Sequence, residues 1–369
     1  MQIIVEKEIL SKGIQIVQNA ISLKSSLPVL NNILIEGKKN GIKLTATDLE
    51  LCISSFIPAT VEIEGAITVP AKKFFDIIRY LPDNVNIDIS KKKSNFITIK
   101  SEKSLFKIVG LPKEEFPDIP IFEENKNICI EQKKMKEILN LTDFAMSKDD
   151  PRYFLNGLYF CVTDKEIEVV ATDGKRLAVK KENIENIENI NEKVIIPSKT
   201  IQEIKKILLD EGDVIIKFSK NQILFKINDN IIVSKLIEGD YPNYNNVIPR
   251  RSSKKVIINK EDFLSSARRA TIFIDKDSVG VKLNINKRKM IISKTTPYLG
   301  ELKEEVNIEY TGSSEIEIGF NPMYLIDILK VLPSNQVSLE VIANNKPGTI
   351  RLEKENYIYV ILPINLSKE

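Results

Sequence analysis

The sequence predicts an α+β fold made of three repeated units, each with two helices backed by antiparallel sheet. Three observations lead to this prediction. The 369 residues are too many for one ordinary core and divide into three lengths close to the commonest domain size. Distinctive strings recur at a nearly constant offset, and amphipathic helical patterns alternate with short strand patterns. We therefore expect domains at 1–124, 125–250 and 251–369.

Recurring strings set the offset at 125 residues. Leu30-Asn31-Asn32-Ile33 returns as Leu155-Asn156-Gly157-Leu158, and Ala46-Thr47-Asp48 returns as Ala171-Thr172-Asp173. Phe116-Pro117-Asp118 returns as Tyr241-Pro242-Asn243. The last pair lies in Pro-rich polar stretches, which are typical of the end of a unit. These strings predict boundaries near 125 and 250.

Each unit is predicted to begin with a short apolar strand that runs into an amphipathic helix, and to contain a second strand and helix of the same kind. The predicted helices cover 6–21, 71–81, 131–141, 198–208, 259–270 and 322–332. Runs of strand-forming residues at 214–219 and 337–342 predict antiparallel strands between and after them. Because both helices of a unit follow an apolar strand, we expect each unit to be a duplication itself.

Composition excludes much enzymology. The chain contains no histidine, which excludes Ser-His-Asp and Cys-His catalysis and every metal site built on imidazole. The cysteines, Cys52, Cys129 and Cys161, are odd in number and lack C-x-x-C spacing. We expect buried, reduced thiols and no metal site. The N-terminal stretch carries charge by Glu6, and no run of ~18 apolar residues occurs in the sequence, so we expect a soluble cytoplasmic protein.

Positive charge is concentrated on the predicted helices. The chain has a net charge of +3, which does not by itself mark a nucleic-acid binder, but the six helices together carry +6. The simpler interpretation is a set of solvated faces with acid–base pairs, each contributing about 0.2–0.5 kcal/mol. If the helices share a surface, that surface attracts a polyanion. No Gly-rich phosphate loop is present, so contact with a nucleic-acid backbone without sequence specificity is favoured.

The repeated Thr-Asp string has two interpretations. Asp48 and Asp173 at equivalent places could be the paired carboxylates of a two-lobed hydrolase. The alternative is an aspartate that ends a strand and bonds its own turn backbone. Only the second string continues with glycine, and a third repeat leaves no two-lobed arrangement, so the turn is favoured.

The full set of strings resembles the bacterial DNA polymerase III beta subunit, the sliding-clamp family. The resemblance covers essentially the whole chain and rests on a combination of strings that is specific only as a set. These are Leu155-Asn156-Gly157, Ala171-Thr172-Asp173-Gly174-Lys175-Arg176-Leu177-Ala178, Tyr241-Pro242 through Val247-Ile248-Pro249, and Val360-Ile361-Leu362-Pro363-Ile364-Asn365-Leu366.

The resemblance implies three clamp-type domains and a head-to-tail homodimer that closes into a six-domain ring around double-stranded DNA. Such a ring tethers the replicative polymerase for processive synthesis and has no catalytic activity and no cofactor. The implied partners are the clamp loader that opens the ring and other polymerases and repair factors with clamp-binding peptides. No membrane is involved.

The resemblance also implies a cleft between the second and third domains for short peptides with apolar and aromatic residues. Apolar side chains can line such a cleft, and prolines can fix its walls. Taken alone, the C-terminal string would be interpreted as a final core strand. Asn246 and Asn365 depart from the basic residues expected there. The matching positions are Leu155, Thr172, Gly174, Lys175, Arg176, Leu177, Pro242, Val247, Val360, Leu362, Pro363 and Ile364.

Two further sets of residues follow from the same resemblance. The DNA-binding set consists of helix-face and rim cations, namely Lys24, Lys72, Arg79, Lys148, Arg152, Lys199, Lys206 and Lys330. The dimer-interface set joins Phe106, Ile108, Ile78 and Leu81 of the first domain to Ile272 and Phe273 of the third. An alternative of another class is a three-repeat scaffold that uses only the cleft and never meets DNA.

Overall fold

The computed structural model describes residues 1–22, 27–92, 95–119, 122, 127–163, 165–184, 190–276 and 278–365. The chain forms two compact units. Unit 1 comprises Met1–Lys136 and Lys199–Leu236, and unit 2 comprises Glu137–Ser198 and Ile237–Glu369. The middle third of the chain contributes to both units, so the domain boundaries at 124 and 250 stay predictions.

The first third of the chain contains two helices among short strands. Its elements are β1 (Gln2–Glu6), α1 (Lys7–Val17), β2 (Asn32–Lys38), β3 (Gly41–Thr47), β4 (Leu51–Pro58), β5 (Thr60–Ile63), β6 (Gly65–Pro70), α2 (Ala71–Tyr80), β7 (Asn86–Lys91), β8 (Phe96–Ser101) and β9 (Ser104–Val109).

The middle third repeats this order. Its elements are β10 (Asn127–Glu131), α3 (Gln132–Thr142), β11 (Gly157–Thr163), β12 (Glu166–Thr172), β13 (Arg176–Asn183), β14 (Glu192–Pro197), α4 (Ser198–Ile207), β15 (Asp213–Phe218), β16 (Gln222–Ile227) and β17 (Asn230–Lys235).

The last third follows the same plan. Its elements are β18 (Lys255–Asn259), α5 (Lys260–Ala270), β19 (Val281–Ile285), β20 (Lys289–Thr296), β21 (Gly300–Tyr310), β22 (Ile316–Phe320), α6 (Pro322–Val331), β23 (Gln336–Glu340), β24 (Gly348–Leu352) and β25 (Tyr357–Ile361).

All six predicted helices are confirmed. Each of α1 to α6 comes directly after a strand, or after one residue in the case of α6, as the expected duplication within each third requires. The largest difference is at α1, which ends at Val17 and is continued by a 3₁₀ turn over Gln18–Ala20.

The described strands of unit 1 form two antiparallel sheets. One has the strand order β5-β1-β7-β8-β9, and the other has the order β10-β15-β16-β17-β4-β3-β2-β6. The second sheet crosses a predicted domain boundary because β17 of the middle third pairs with β4 of the first third, with Val233 opposite Cys52.

In unit 2 the strands that the structure describes form one antiparallel sheet with the order β14-β11-β12-β13-β25-β24-β23-β18-β21-β20-β19-β22. This sheet joins the middle third of the chain to the last third, because β13 pairs with β25 and places Leu177 opposite Val360. This junction positions the candidate site described below.

The helices bury the stripes that their periodicity predicts. In unit 1, α1 packs against α2, and Ile14, Phe74 and Ile78 are fully buried. In unit 2, α5 packs against α6. The expectation of buried cysteines is wrong at Cys129, which is exposed. Its neighbours on β10, Ile128 and Ile130, take the inward positions, and a strand turns alternate side chains to opposite faces.

Candidate functional site

A cleft of about 250 Å³ lies in unit 2 where β13 meets β25. Four segments line it: the turn before β11, the turn from β12 to β13, the segment after β17 and the end of β25. The lining residues are Arg152, Phe154, Leu155, Thr172, Gly174, Lys175, Arg176, Leu177, Pro242, Asn243, Tyr244, Val247, Val360 and Leu362.

The floor of the cleft is apolar. The opposed residues Leu177 and Val360 form one buried cluster with Val170 and Val179 of the same sheet. The side chains of Tyr159, Tyr241 and Tyr244 pack on this cluster. Val247 and Leu362 are exposed, 52% and 41% respectively, so apolar surface is open to a ligand at the rim.

The wall is shaped by a tight turn that the sequence encodes locally. Asp173 accepts hydrogen bonds through Oδ1 from the backbone N–H groups of Lys175 and Arg176, at 2.9 and 3.0 Å. Thr172 Oγ1 accepts from the Gly174 N–H at 3.0 Å. Gly174 has φ +84°, a conformation that residues with a Cβ rarely adopt, so glycine is favoured at this corner.

The same turn occurs in the first third. Asp48 Oδ1 accepts from the N–H groups of Glu50 and Leu51 at 3.0 and 2.7 Å, and Thr47 Oγ1 accepts from Leu49 N–H at 3.0 Å. The interpretation of each aspartate as a turn residue is therefore confirmed. Asp48 also pairs with Lys199, and this second bond gives it a structural partner rather than a free carboxylate.

Arg176 borders the cleft, but its guanidinium is bonded within the protein. Only 9% of its side chain is exposed, and it pairs with Asp173 through Nε at 3.1 Å and with Asp327 through Nη1 at 2.7 Å. Its Nη2 donates to the carbonyl oxygen of Phe144. The guanidinium carbon lies 4.4 Å from the ring centre of Tyr324 and 5.5 Å from that of Phe144.

Arg152 supplies a charged rim. Its Nε and Nη2 each donate to a different oxygen of Asp150, both at 2.9 Å, a bidentate arrangement. The side-chain hydrogen bond from Arg152 lowers the pKa of the Asp150 carboxyl to about 2, so the pair is charged at neutral pH. Arg152 itself is exposed and borders the cleft.

Most of the predicted cleft residues are brought together. Pro363 and Ile364 are the exceptions: they line a separate cavity of about 480 Å³, and Ile364 N–H donates to Gly319 O at 2.8 Å. Asn365 borders that same cavity. The chain turns away from the cleft after Leu362 because Ile364 forms a bridge to β22.

Sequence reasoning missed four lining residues. Phe154, Asn243 and Tyr244 were not assigned, and Arg152 was assigned to DNA alone. The sequence could have indicated three of them, because they are neighbours of the repeated strings. Phe154 precedes the repeated Leu155, and Asn243 and Tyr244 follow the repeated Pro242. Arg152 gave no such signal, because its place depends on its bond to Asp150.

The predicted DNA-binding residues are exposed where the structure describes them. Lys199 is paired with Asp48 and Lys206 with Glu203. Arg79 lies 5.9 Å from the ring centre of Tyr80. Within the described ranges, no ion pair is formed by Lys72, Lys148 or Lys330. Lys24 lies outside the described residues.

The predicted interface residues divide into two groups. Phe106 and Ile108 are half-buried on β9, and Ile272 is 69% exposed with Phe273 half-buried beside it. The interface prediction is corrected at Ile78 and Leu81. Both are buried in unit 1, because they belong to the apolar stripe by which α2 packs on its own core.

In the described part of the chain, no helix is long and apolar enough to cross a membrane. No cluster of three or more acidic or cysteine side chains with the spacing of a metal site occurs among those residues.

Solved structures resemble the fold over its full length. A sliding clamp (DNA polymerase III subunit beta) from Pseudomonas aeruginosa bound to griselimycin is 31% identical, with a TM-score of 0.94 and coverage of 99% of this chain and 100% of that one. The DNA polymerase sliding clamp from Bacillus subtilis is 30% identical, with a TM-score of 0.93 and coverage of 99% of both chains.

Sequence comparison gives the same result. The beta sliding clamp of Proteus mirabilis is 32% identical over 372 residues, which cover 99% of this chain and all of the relative. The family model of the DNA polymerase III beta subunit matches in three parts: its N-terminal domain over residues 1–120, its central domain over 129–243 and its C-terminal domain over 245–365. With three clamp domains matched in order along its length, the chain belongs to the DNA polymerase III beta subunit family, as its repeated strings predict.

Proposed function

We propose that this chain, a sliding clamp of the DNA polymerase III beta family, acts as a homodimeric ring that encircles duplex DNA without sequence specificity. The ring tethers the replicative polymerase and recruits other DNA-processing proteins through the cleft of unit 2. The full-length family match carries the proposal. The role is that of a processivity factor in the cytoplasm, and it requires no catalytic residue or cofactor in this chain.

The charge distribution supports contact with a polyanion. Within the helix bounds of the structure, α1 to α6 together carry a net charge of +8. The chain as a whole is +3, so the residues outside the helices total −5. Exposed cations on helices read phosphate rather than base edges, which suits a ring that must slide.

Two free strand edges support closure by a second copy. The edge strand β9 pairs with β8 alone among the described strands and exposes Leu105 and Val109. On β21, the part from Gly300 to Asn307 pairs with β20, whereas β18 pairs only with the last three residues. Edge strands of this kind are satisfied by pairing with another chain. A contact between β9 of one copy and the third domain of the next would close a two-copy ring.

The cleft supports the recruitment of partners. Its apolar floor, the lining ring of Tyr244 and its exposed rim residues Val247 and Leu362 fit a short peptide with aliphatic and aromatic side chains. The polymerase, the clamp loader and repair factors would compete for it. The predicted cleft set is retained here without Pro363 and Ile364, and Phe154, Asn243 and Tyr244 are added.

The experiment that tests this proposal is retention on topologically different DNA. The protein is loaded by a clamp loader onto a nicked circular duplex, and the complex is passed through a gel-filtration column in high salt before and after the circle is cut. A closed ring stays on the circle, because its linkage is topological, and slides off the linear product. A protein held by phosphate contacts alone leaves both DNAs as salt rises, since affinity falls with a log–log slope of about −0.9 per phosphate neutralised.

Equal loss from circular and linear DNA would contradict the ring. Failure to associate with either DNA would favour the interaction scaffold that uses only the cleft. The control treats the circle with a restriction enzyme that has no site in it, because this treatment leaves the DNA circular.

A further inference from the structure

Unit 1 contains a smaller cavity of about 150 Å³ that corresponds by repeat to the cleft of unit 2. The 125-residue offset carries six of its lining residues onto cleft residues. Thr47, Leu49, Glu50, Cys52, Pro117 and Asp118 correspond to Thr172, Gly174, Lys175, Leu177, Pro242 and Asn243. The full lining is Thr47, Leu49, Glu50, Cys52, Pro117, Asp118, Ile119, Gln222, Val233 and Lys235.

The backbone framework of the two cavities is the same. In unit 1 the Lys235 N–H donates to Glu50 O at 2.8 Å, and in unit 2 the Leu362 N–H donates to Lys175 O at 2.9 Å. The two Thr-Asp turns described above make matching hydrogen bonds. The strand pairs correspond too: Cys52 is opposite Val233 as Leu177 is opposite Val360.

The side chains on this framework differ in polarity. Where the cleft has Lys175 and Leu362, the smaller cavity has Glu50 and Lys235, whose charged ends form an ion pair at 2.9 Å. These side chains are 70% and 43% exposed, so the pair lies on the solvent side of the cavity.

The strands beside the cavity are also more polar. Where the floor of the cleft has Val170 and Val179, β3 and β4 have Thr45 and Ser54, whose buried hydroxyls bond each other at 3.0 Å. An apolar side chain that entered here would cover the nearby ion pair and take its charges out of water without offering new partners.

From this correspondence we infer that unit 1 holds a closed counterpart of the cleft and that the Glu50–Lys235 ion pair restricts peptide binding to one site in each chain. Glu50 and Lys235 are thus specificity-determining residues, which act by excluding an apolar peptide. The inference rests on the proposed peptide-binding function of the cleft.

The test installs the cleft residues in the counterpart. Calorimetric titration measures how many molecules of a synthetic peptide with two leucines and a terminal phenylalanine bind to each full-length chain. The wild type is expected to bind one, and the variant Glu50→Lys with Lys235→Leu is expected to bind two. The milder variant Lys235→Ala, which removes one exposed cation and leaves the strand intact, is expected to show the second site with weaker affinity.

A matched control changes another exposed ion pair of unit 1. Lys136 and Asp210 pair at 2.7 Å and do not line the cavity, so Lys136→Leu with Asp210→Lys should leave the stoichiometry at one. The inference would be overturned if the wild type bound two peptides per chain. It would also be overturned if both cavity variants bound only one peptide per chain while their circular dichroism was unchanged. No binding to wild type or variants would count against both the cleft and its counterpart. Binding only to the variants would count against the cleft alone.

Discussion

Arg176 links the cleft wall to α6 by making contacts that are almost entirely internal. Its guanidinium pairs with Asp173 and Asp327 and lies against two aromatic rings. Lysine could not replace this arrangement, because a planar guanidinium can stack on a ring and bond several acceptors at once. The sequence string predicts Arg176 as a peptide contact, whereas most of its bonding capacity is used within unit 2.

Removal of this side chain is expected to destabilise the protein. In Arg176→Met, the half-buried carboxylates of Asp173 and Asp327 lose their common partner, and breaking a buried pair in this way costs about 3 kcal/mol or more. Denaturant unfolding followed by circular dichroism measures the change. The control is Arg251→Met, since Arg251 and Glu353 pair with side chains that are 73% and 61% exposed, and such surface pairs contribute about 0–1 kcal/mol. Equal losses of stability in the two variants would contradict a stabilising role for the Arg176 ion pairs.

Cys52 gives the stability a dependence on pH. Burial raises the pKa of its thiol from the ordinary 9.0 to about 11, so the unfolded chain ionises first. A group whose pKa is raised on folding contributes stability below pH 9 that is lost as the pH rises through about 11. We expect the free energy of unfolding to fall by about 2 kcal/mol more in the wild type than in Cys52→Ala over that range. Parallel pH profiles of the two proteins would show that this thiol ionises equally in both states.

Local chemistry predicts some residues of the site and not others. The Thr-Asp turns follow from short-range bonding, so their repetition in the sequence identifies them correctly. Pro363 and Ile364 depend on where the chain goes after β25, which is set by a bridge to β22 that no local pattern encodes. Ile78 and Leu81 could be assigned either to a core or to an interface, since both environments select apolar residues.

At the scale of elements, helices are easier to predict than strand partners. A 3.6-residue period is local, and it locates α1 to α6 within a few residues. The pairing of β17 with β4 joins residues about 180 positions apart, and alternating hydrophobicity says nothing about which strand is the neighbour. The two compact units therefore could not be derived from the repeat, although the repeat itself is present in the order of elements.

The ends of the helices differ in how they are capped. At α5 the side chain of Asn259 accepts from the N–H groups of Glu261 and Asp262, at 3.0 and 3.2 Å. No side-chain cap is formed at α1 or α2, where tertiary packing must supply the stability.

Loss of the α5 cap is expected to cost about 1 kcal/mol. The variant Asn259→Ala leaves two N–H donors without a side-chain acceptor, and Asn259→Asp should retain most of the stability because its carboxylate can accept the same bonds. Thermal unfolding of both variants measures the difference. The proposal that this cap matters fails if the alanine and aspartate variants melt at the same temperature.

At the scale of the whole molecule, the proposed activities occupy different surfaces. The cleft is built entirely within unit 2, so peptide binding does not require a second copy. The proposed topological retention on DNA does require one, because β9 and β21 leave free edges among the described strands of a single chain. A change at the proposed interface should therefore abolish one activity and spare the other.

Ile272 is the position that tests this separation. Its side chain is 69% exposed, so Ile272→Asp should leave the fold intact while placing a charge in the proposed interface. We expect the mass in solution at micromolar concentration to fall from two chains to one, and the protein to be lost from circular DNA as readily as from linear DNA. Peptide affinity in the cleft should stay within about twofold of the wild type, because the floor and rim of the cleft are unchanged.

The matched control for this variant is Leu209→Asp, which introduces the same charge at an apolar residue of unit 1 that is 56% exposed and outside the proposed interface. It should remain a dimer and stay on circular DNA. If Ile272→Asp remains dimeric, the interface lies elsewhere on the chain. If it becomes monomeric and still stays on closed circles in high salt, retention does not depend on ring closure, and the proposed mechanism of tethering would be wrong.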